Sequence, residues 1–300
     1  MAAFDSVEDL SRRFEEADYF CDEPSATAVF LAERLGRPLL VEGPPGVGKT
    51  EIAKTLAGVT GRRLLRLQCY EGIDESRALY EWEYSKQLLY TQMLRERIGG
   101  LLENAQTLEE AVERLDEQGG AFFSRSFLLP RPLLEAVLAD EPVVLLIDEV
   151  DRSDEEFEAF LLETLGEFQV TVPELGTLQA VHRPLTILTS NASRTLSEAL
   201  RRRCLYLHID YPDTEQEARI VRRKVPGISR HLAEEAVRFV DRVRQLGVRK
   251  PPSISETLDW ALALVVLNAG SLDRAVLTAS LSALLKDKED IERVLRQGVR

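Results

Sequence analysis

Eight residues, GPPGVGKT at 43–50, fit the G-x-x-x-x-G-K-[ST] pattern of a phosphate-binding loop in full. Gly43, Pro44, Pro45, Gly46, Val47 and Gly48 form a loop whose glycines let backbone N–H groups turn inward around phosphate oxygens. Lys49 has the reach for β- and γ-phosphates, and Thr50 has the hydroxyl for Mg2+. Glu51 continues into a helix whose N-terminal end adds positive potential. A chance Gly/Pro-rich turn would not need the apolar strand before it (RPLLVEG) or the helical stretch after it (EIAKTLAGVTG).

A second constellation lies in VVLLIDEVD, 143–151. A carboxylate ending a buried strand beside a phosphate loop holds the magnesium water shell, and Asp148 is in that position. Glu149 follows it, placed to orient or deprotonate an attacking water. Phosphoryl transfer to a small molecule needs no water-activating glutamate, so the pair favours NTP hydrolysis. Asp151 continues the acidic run without a catalytic assignment. TILTSN ends in Asn191, an amide able to bond both the attacking water and the γ-phosphate. Finally, ALRRRC puts Arg201, Arg202 and Arg203 at a helix end before an apolar run. Basic residues suit a helix C-terminus on dipole grounds alone, but with a phosphate loop in the chain they also have an anion to find.

Those side chains need a frame. Apolar runs at Arg37–Gly43, Arg63–Cys69, Pro142–Glu149, Pro184–Asn191 and Cys204–Asp210 alternate with helical stretches, which predicts an α/β fold with a parallel sheet. The Pro142–Glu149 run reads as a central strand buried on both faces. DEEFEAFLLETLGE reads as a helix capped by Ser153, Phe168–Val181 as a β-hairpin, and residues 74–118 as mainly helical. After Pro212 the pattern is helical throughout, with breaks at Pro226–Gly227, Gly247–Ser253 and Gly270, and with Ser253 and Ser271 as N-caps. The expected domains are therefore 1–212, α/β and nucleotide-binding, and 213–300, a helical lid.

With these residues in view, the chain resembles the AAA+ ATPases, and within them the MoxR type. GPPGVGKTE matches Walker A, LLIDEVDRSDEEFEAFLLETL Walker B and its helix, TSN sensor 1, and ALRRRC the arginine-finger segment. The hairpin at about 168–181 stands where this clade places one, and residues of about 100–130 where it carries an insertion in helix 2. LQCYEGIDESRALYEWEYSKQLLY and RRRCLYLHIDYP are closest to a branch associated with maturing carbon monoxide dehydrogenase and related molybdenum hydroxylases. The resemblance implies ATP and Mg2+ as cofactors and a homo-oligomeric ring, a hexamer in the family. It also implies a protein client and a von Willebrand factor A-domain partner. Arg203 is the first choice for a finger donated to a neighbouring subunit and Arg202 the second, with Arg201 a solvated or helix-end charge. One departure is that Ser255 falls where the family places its sensor-2 arginine, leaving Arg249 or Lys250 to substitute.

Bulk properties narrow the alternatives. Of the formal net charge of −13, residues 1–212 carry −16 and residues 213–300 carry +3, which disfavours a nucleic-acid-stimulated motor. No apolar run is long enough to span a bilayer and the N-terminus lacks a signal-like h-region, so a cytoplasmic protein with three reduced cysteines and no membrane contact is expected. Tyr70, Tyr80, Trp82, Tyr84 and Tyr90 cluster within 70–90, a first candidate for client contact, although core or intersubunit packing, with Tyr80 and Tyr84 an i,i+4 helical pair, accounts for them too. AFFSRSF, with Phe122, Phe123 and Phe127, is a second candidate for client contact.

Overall fold

The computed structural model describes residues 3–93, 127–173 and 175–297. In chain order the strands are β1 (Leu39–Glu42), β2 (Leu64–Gln68), β3 (Tyr80–Trp82), β4 (Leu128–Pro130), β5 (Val144–Asp148), β6 (Gln169–Val172), β7 (Gly176–Gln179), β8 (Leu185–Ser190) and β9 (Leu205–His208). Five of them make a parallel sheet in the order β2-β5-β8-β1-β9. Its three inner strands are buried at every position, whereas the edge strands β2 and β9 alternate between buried and open. This is the pattern expected of a sheet covered on both faces but open at its edges.

On one face Leu145, Ile147 and Leu188 pack with Phe157, Leu161 and Leu165 of helix Glu155–Glu167. On the other, Val41, Val144, Leu146 and Ile187 pack with Ile52 and Leu56 of helix Lys49–Thr60 and with Phe14. Each such side chain contributes about 1.5–3 kcal/mol when fully buried, so the polar tips of β1, β5 and β8 are anchored from both sides. Two antiparallel pairs stand apart from this sheet, β3 with β4 and β6 with β7.

Several local expectations need correction. Helix Glu155–Glu167 is capped by Asp154, which accepts from the Phe157 N–H, and not by Ser153, whose hydroxyl is bonded to the Val150 carbonyl. Residues 75–93 are mainly helical as expected, but β3 separates helices Glu75–Leu79 and Tyr84–Met93, and residues 94–118 lie outside the described residues. Tyr80 and Tyr84 therefore lie on different elements and form no helical pair. Tyr80 stacks edge-on against Trp82, with both packed on the core, while Tyr84 is exposed. Phe127 is buried, and residues 94–126, which hold Phe122, Phe123 and most of the expected insertion, lie outside the described residues.

Beyond β9 the described elements are helical: Thr214–Lys224, Arg230–Gln245, Ile254–Val266, Arg274–Leu284 and Lys288–Gln297. Asp213, Ser229 and Asp273 each accept an N–H at the start of their helix, so Asp273, and not Ser271, caps Arg274–Leu284. Ser253 and Glu256 form a capping box on Ile254–Val266. Trp260, fully buried, packs against Phe239 and donates Nε1–H to Ser280 at 2.8 Å. These helices meet the sheet side through Arg219–Glu15 at 2.8 Å and the Arg223–Asp18 ion pair. No helix among the described residues is long and apolar enough to cross a membrane.

Candidate functional site

Parallel register brings the polar strand ends together. Gln68 on β2 lies beside Asp148 on β5, and Glu42 on β1 lies beside Ser190 on β8 and His208 on β9. The GPPGVGKT loop leaves the tip of β1 and turns directly into helix Lys49–Thr60. Gly46 takes a left-handed φ of 73°, and a Cβ there would overlap Ser253 at the start of helix Ile254–Val266. Glycine is thus required at Gly46 both by backbone conformation and by the close approach of the C-terminal helices.

The Lys49 ammonium, nearly buried, donates to the Gly43 carbonyl (2.8 Å), the Pro44 carbonyl (2.7 Å) and Asn191 Oδ1 (2.7 Å). Burial pulls its pKa below the ordinary lysine value, while Asp151, Asp148 and Glu149 act in the opposite direction. The Asp148 carboxylate is also buried. Its Oδ1 accepts from the Thr50 hydroxyl (3.0 Å) and the Thr189 hydroxyl (2.5 Å), and its Oδ2 from Arg66 Nε (3.1 Å) and Nη2 (2.6 Å). Glu149 leaves the strand with a left-handed φ of 55°, unusual for a non-glycine residue, and its N–H donates to Thr189 Oγ1 at 2.9 Å. Its Oε2 accepts from the Gln68 amide (3.0 Å) and pairs with Arg152 Nε (3.1 Å). Strain of this kind, about 1–3 kcal/mol, persists only where the surroundings hold it.

Asp151, which the sequence left without a role, organises the neighbouring loop. It is 3% exposed and accepts from the Asn191 N–H (3.2 Å), the Ser193 N–H (3.0 Å) and the Ser193 hydroxyl (2.6 Å). Burial raises its pKa, but the Ser193 and Asn191 donors outweigh this and hold it below the ordinary aspartate value. The loop turns at Ala192, with a φ of 54°. Asp151 therefore fixes the backbone that aims Asn191 at Lys49.

The three arginines separate into distinct environments. Arg201 is not merely a solvated or helix-end charge: its Nη1 donates to Glu42 Oε1 at 3.1 Å, and its guanidinium stands 5.2 Å from the Tyr206 ring centroid. Glu42 is buried at the mouth of the phosphate loop, and a buried carboxylate requires such a partner. Arg202 pairs with Glu198 on the open surface. Arg203 donates Nη1–H to the Leu162 carbonyl at 2.7 Å, on the helix that follows Asp148 and Glu149. The carbonyls ending helix Glu198–Arg203 are served by Arg37, whose guanidinium donates to those of Arg202 (2.8 Å) and Arg203 (3.1 Å). A residue far away in sequence thus provides the helix-end compensation that a local reading assigns to the triplet.

Arg249 and Lys250 are both tied to helix Lys288–Gln297. Arg249 pairs with Glu289 at 2.9 Å, and the Arg249 and Lys250 N–H groups donate to Asp290. Ser255 instead lines a cavity of about 300 Å3 together with Tyr19, Cys21, Gly46, Tyr211 and Leu258, directly beside the phosphate loop. Hard oxygen donors at Thr50 and Asp148 fit Mg2+, which takes one or two protein oxygens and keeps waters. No cluster of three or more His, Cys, Asp or Glu suited to an all-protein metal cage occurs among the described residues.

A parallel sheet of this order, with a phosphate loop at the tip of β1 and an Asp-Glu pair at the tip of β5, defines a P-loop nucleotide-binding ATPase. The chain belongs to the AAA domain family (dynein-related subfamily), which it matches over residues 38–204, from β1 to the end of the arginine triplet. It is an AAA+ ATPase. NorQ of Paracoccus denitrificans (strain Pd 1222) is 24% identical over 285 residues, covering 94% of this chain and 92% of NorQ. Two solved structures of Thermotoga maritima RuvB are more loosely similar. A point mutant of RuvB has a TM-score of 0.49 at 17% identity, covering 95% of this chain and 72% of RuvB. The Holliday junction branch migration motor has a TM-score of 0.45 at 18% identity, covering 89% and 70%.

Proposed function

We propose that this chain is a MoxR-type AAA+ ATPase that hydrolyses Mg2+–ATP in a cytoplasmic homo-oligomeric ring and uses the work to remodel or mature a protein client. The single observation that carries the hydrolytic part is the convergence of two bonded pairs, Lys49 with Asn191 and Thr50 with Asp148, beside Glu149. In this reading Lys49 exchanges its loop carbonyls for phosphate oxygens, and Asn191 orients the γ-phosphate and the water. Thr50 and Asp148 hold Mg2+, which supplies charge neutralisation to the phosphates. Glu149 takes the proton of the attacking water. The cavity lined by Tyr19, Cys21, Tyr211 and Leu258 has the size and position for the nucleoside, and residues 213–300 act as the lid domain closing on it.

The ring reading is supported by Arg203, whose guanidinium is bonded to Leu162 and not to its own Lys49, Thr50 or Glu149. An arginine so placed serves a neighbour's γ-phosphate, with Arg202 beside it on the surface. A molybdenum hydroxylase client and a von Willebrand factor A-domain partner rest on the motif resemblance and the hairpin β6–β7.

The deciding experiment uses Glu149→Gln with Mg2+–ATP. Retained nucleotide and hydrolysis reduced by about 10²-fold or more are expected, with native mass spectrometry counting several subunits and a co-purified client. Full hydrolysis in this variant removes Glu149 from the mechanism; a monomer under these conditions removes the ring.

A further inference from the structure

The reading above, on which this inference rests, leaves Arg66 without a role. Arg66 lies on the edge strand β2, half exposed, yet its guanidinium holds the buried metal-site carboxylate: both Nε and Nη2 donate to Asp148 Oδ2. It is held from its other side as well, because Nη2 donates to Gln68 Oε1 at 2.7 Å while the Gln68 amide donates to Glu149 Oε2 at 3.0 Å. With Thr50 and Thr189 on Oδ1, both oxygens of Asp148 carry two protein donors each.

We propose that Arg66 is a resident counter-ion at the metal carboxylate: its charge on Asp148 Oδ2 opposes Mg2+ and sets the concentration of Mg2+ at which nucleotide and metal bind together. The physical basis is simple. An Asp whose charge is already neutralised by a guanidinium attracts a divalent cation less than a free one. The exposed side of Arg66 lets water screen this opposition, so the effect is several-fold and not many orders of magnitude. The arrangement keeps Asp148 oriented toward Thr50 before metal arrives, at the cost of a weaker grip on the metal. Arg66 is thus a positioning residue that acts through Asp148.

The test is a binding titration that does not depend on turnover. A fluorescent, non-hydrolysable ATP analogue is bound to the intact protein in EDTA, and Mg2+ is then added stepwise. Arg66→Ala should not strengthen binding in EDTA, where the bared Asp148 carboxylate repels the phosphates, and should lower the half-saturating Mg2+ by at least about three-fold. Arg66→Lys, which keeps the charge, should stay near wild type, and Gln68→Ala, which removes no charge, should do so too. Arg66→Gln keeps a donor to Asp148 without the charge and gives the same reading if Arg66→Ala does not fold. An unchanged or higher Mg2+ requirement in the neutral variants overturns the proposal, as does Arg66→Lys behaving like Arg66→Ala. Absence of nucleotide binding in the unaltered protein would strike at the ATP reading instead, so the two failures are distinguishable.

Discussion

Arg203 rests against Gly166: a methyl group added to Gly166 would overlap the Arg203 guanidinium, which is simultaneously bonded to the Leu162 carbonyl one turn earlier. A glycine inside a helix costs about 1 kcal/mol relative to alanine, and here it leaves room for the flexible end of the Arg203 side chain, which a methyl group would displace. Gly166→Ala should therefore gain helix propensity and lose the seat of Arg203. The expected result is unchanged nucleotide affinity with kcat reduced toward that of Arg203→Ala. A Gly166→Ala protein with wild-type kcat would separate this contact from catalysis.

Mixing subunits tests whether Arg203 acts across an interface. Arg203→Ala protein should bind ATP but turn it over slowly, and Lys49→Ala protein should fail to bind or turn it over. Combined in verified mixed rings, intact sites meet intact fingers and some hydrolysis returns. The loss in the single variant should be large, since arginine fingers are worth about 10³–10⁵ in rate in the GTPase cases.

The triplet should also divide by stability. Arg201→Ala removes the cationic partner of the Glu42 carboxylate, which is almost wholly buried, and should destabilise by about 1–3 kcal/mol. Arg202→Ala breaks only an exposed pair and should change stability by less than about 0.5 kcal/mol. Chemical denaturation of the two variants side by side reads the difference.

Acid sensitivity should report on Asp151. Its folded pKa lies below the ordinary aspartate value of 3.8. Folding therefore draws stability from it at pH values above the unfolded pKa, and that contribution is lost as pH falls through the folded value. Asp151→Asn should show a shallower loss of stability on acidification, together with reduced kcat because the Asn191 loop is no longer braced. An acid limb identical to wild type would assign the low-pH transition to other groups.

Cysteine labelling gives a quick structural check. Burial pushes the Cys69 and Cys204 thiols up to about 12 and Cys21 up to about 11. Thiolate is the reactive form, so iodoacetamide near neutral pH should leave Cys69 and Cys204 unmodified in the folded protein and reach all three only after unfolding.

The site was legible in the sequence where chemistry is contiguous. The loop 43–50 and the pair Asp148–Glu149 are short segments whose order and spacing encode their geometry, and the apolar runs around them announce buried strands. Arg66 and Gln68 were half legible: they alternate outward along β2, but nothing local says that they face Asp148 and Glu149. Asp151 read only as one more acid. The strand β3 was hidden because its pairing partner, β4, lies more than forty residues away, beyond any local periodicity.

By itself, then, the sequence determined the phosphate loop, the carboxylate pair, the alternation of strand and helix, and the helical tail, all of which depend on residue type at short range. Tertiary structure alone decided which arginine does what. Arg201 turned to Glu42, Arg203 to Leu162 and Gly166, Arg37 to the helix end, and Arg66 to Asp148. A long, flexible, charged side chain takes its role from whichever acceptor the folded chain brings within reach, and strand order rather than sequence order sets that neighbourhood.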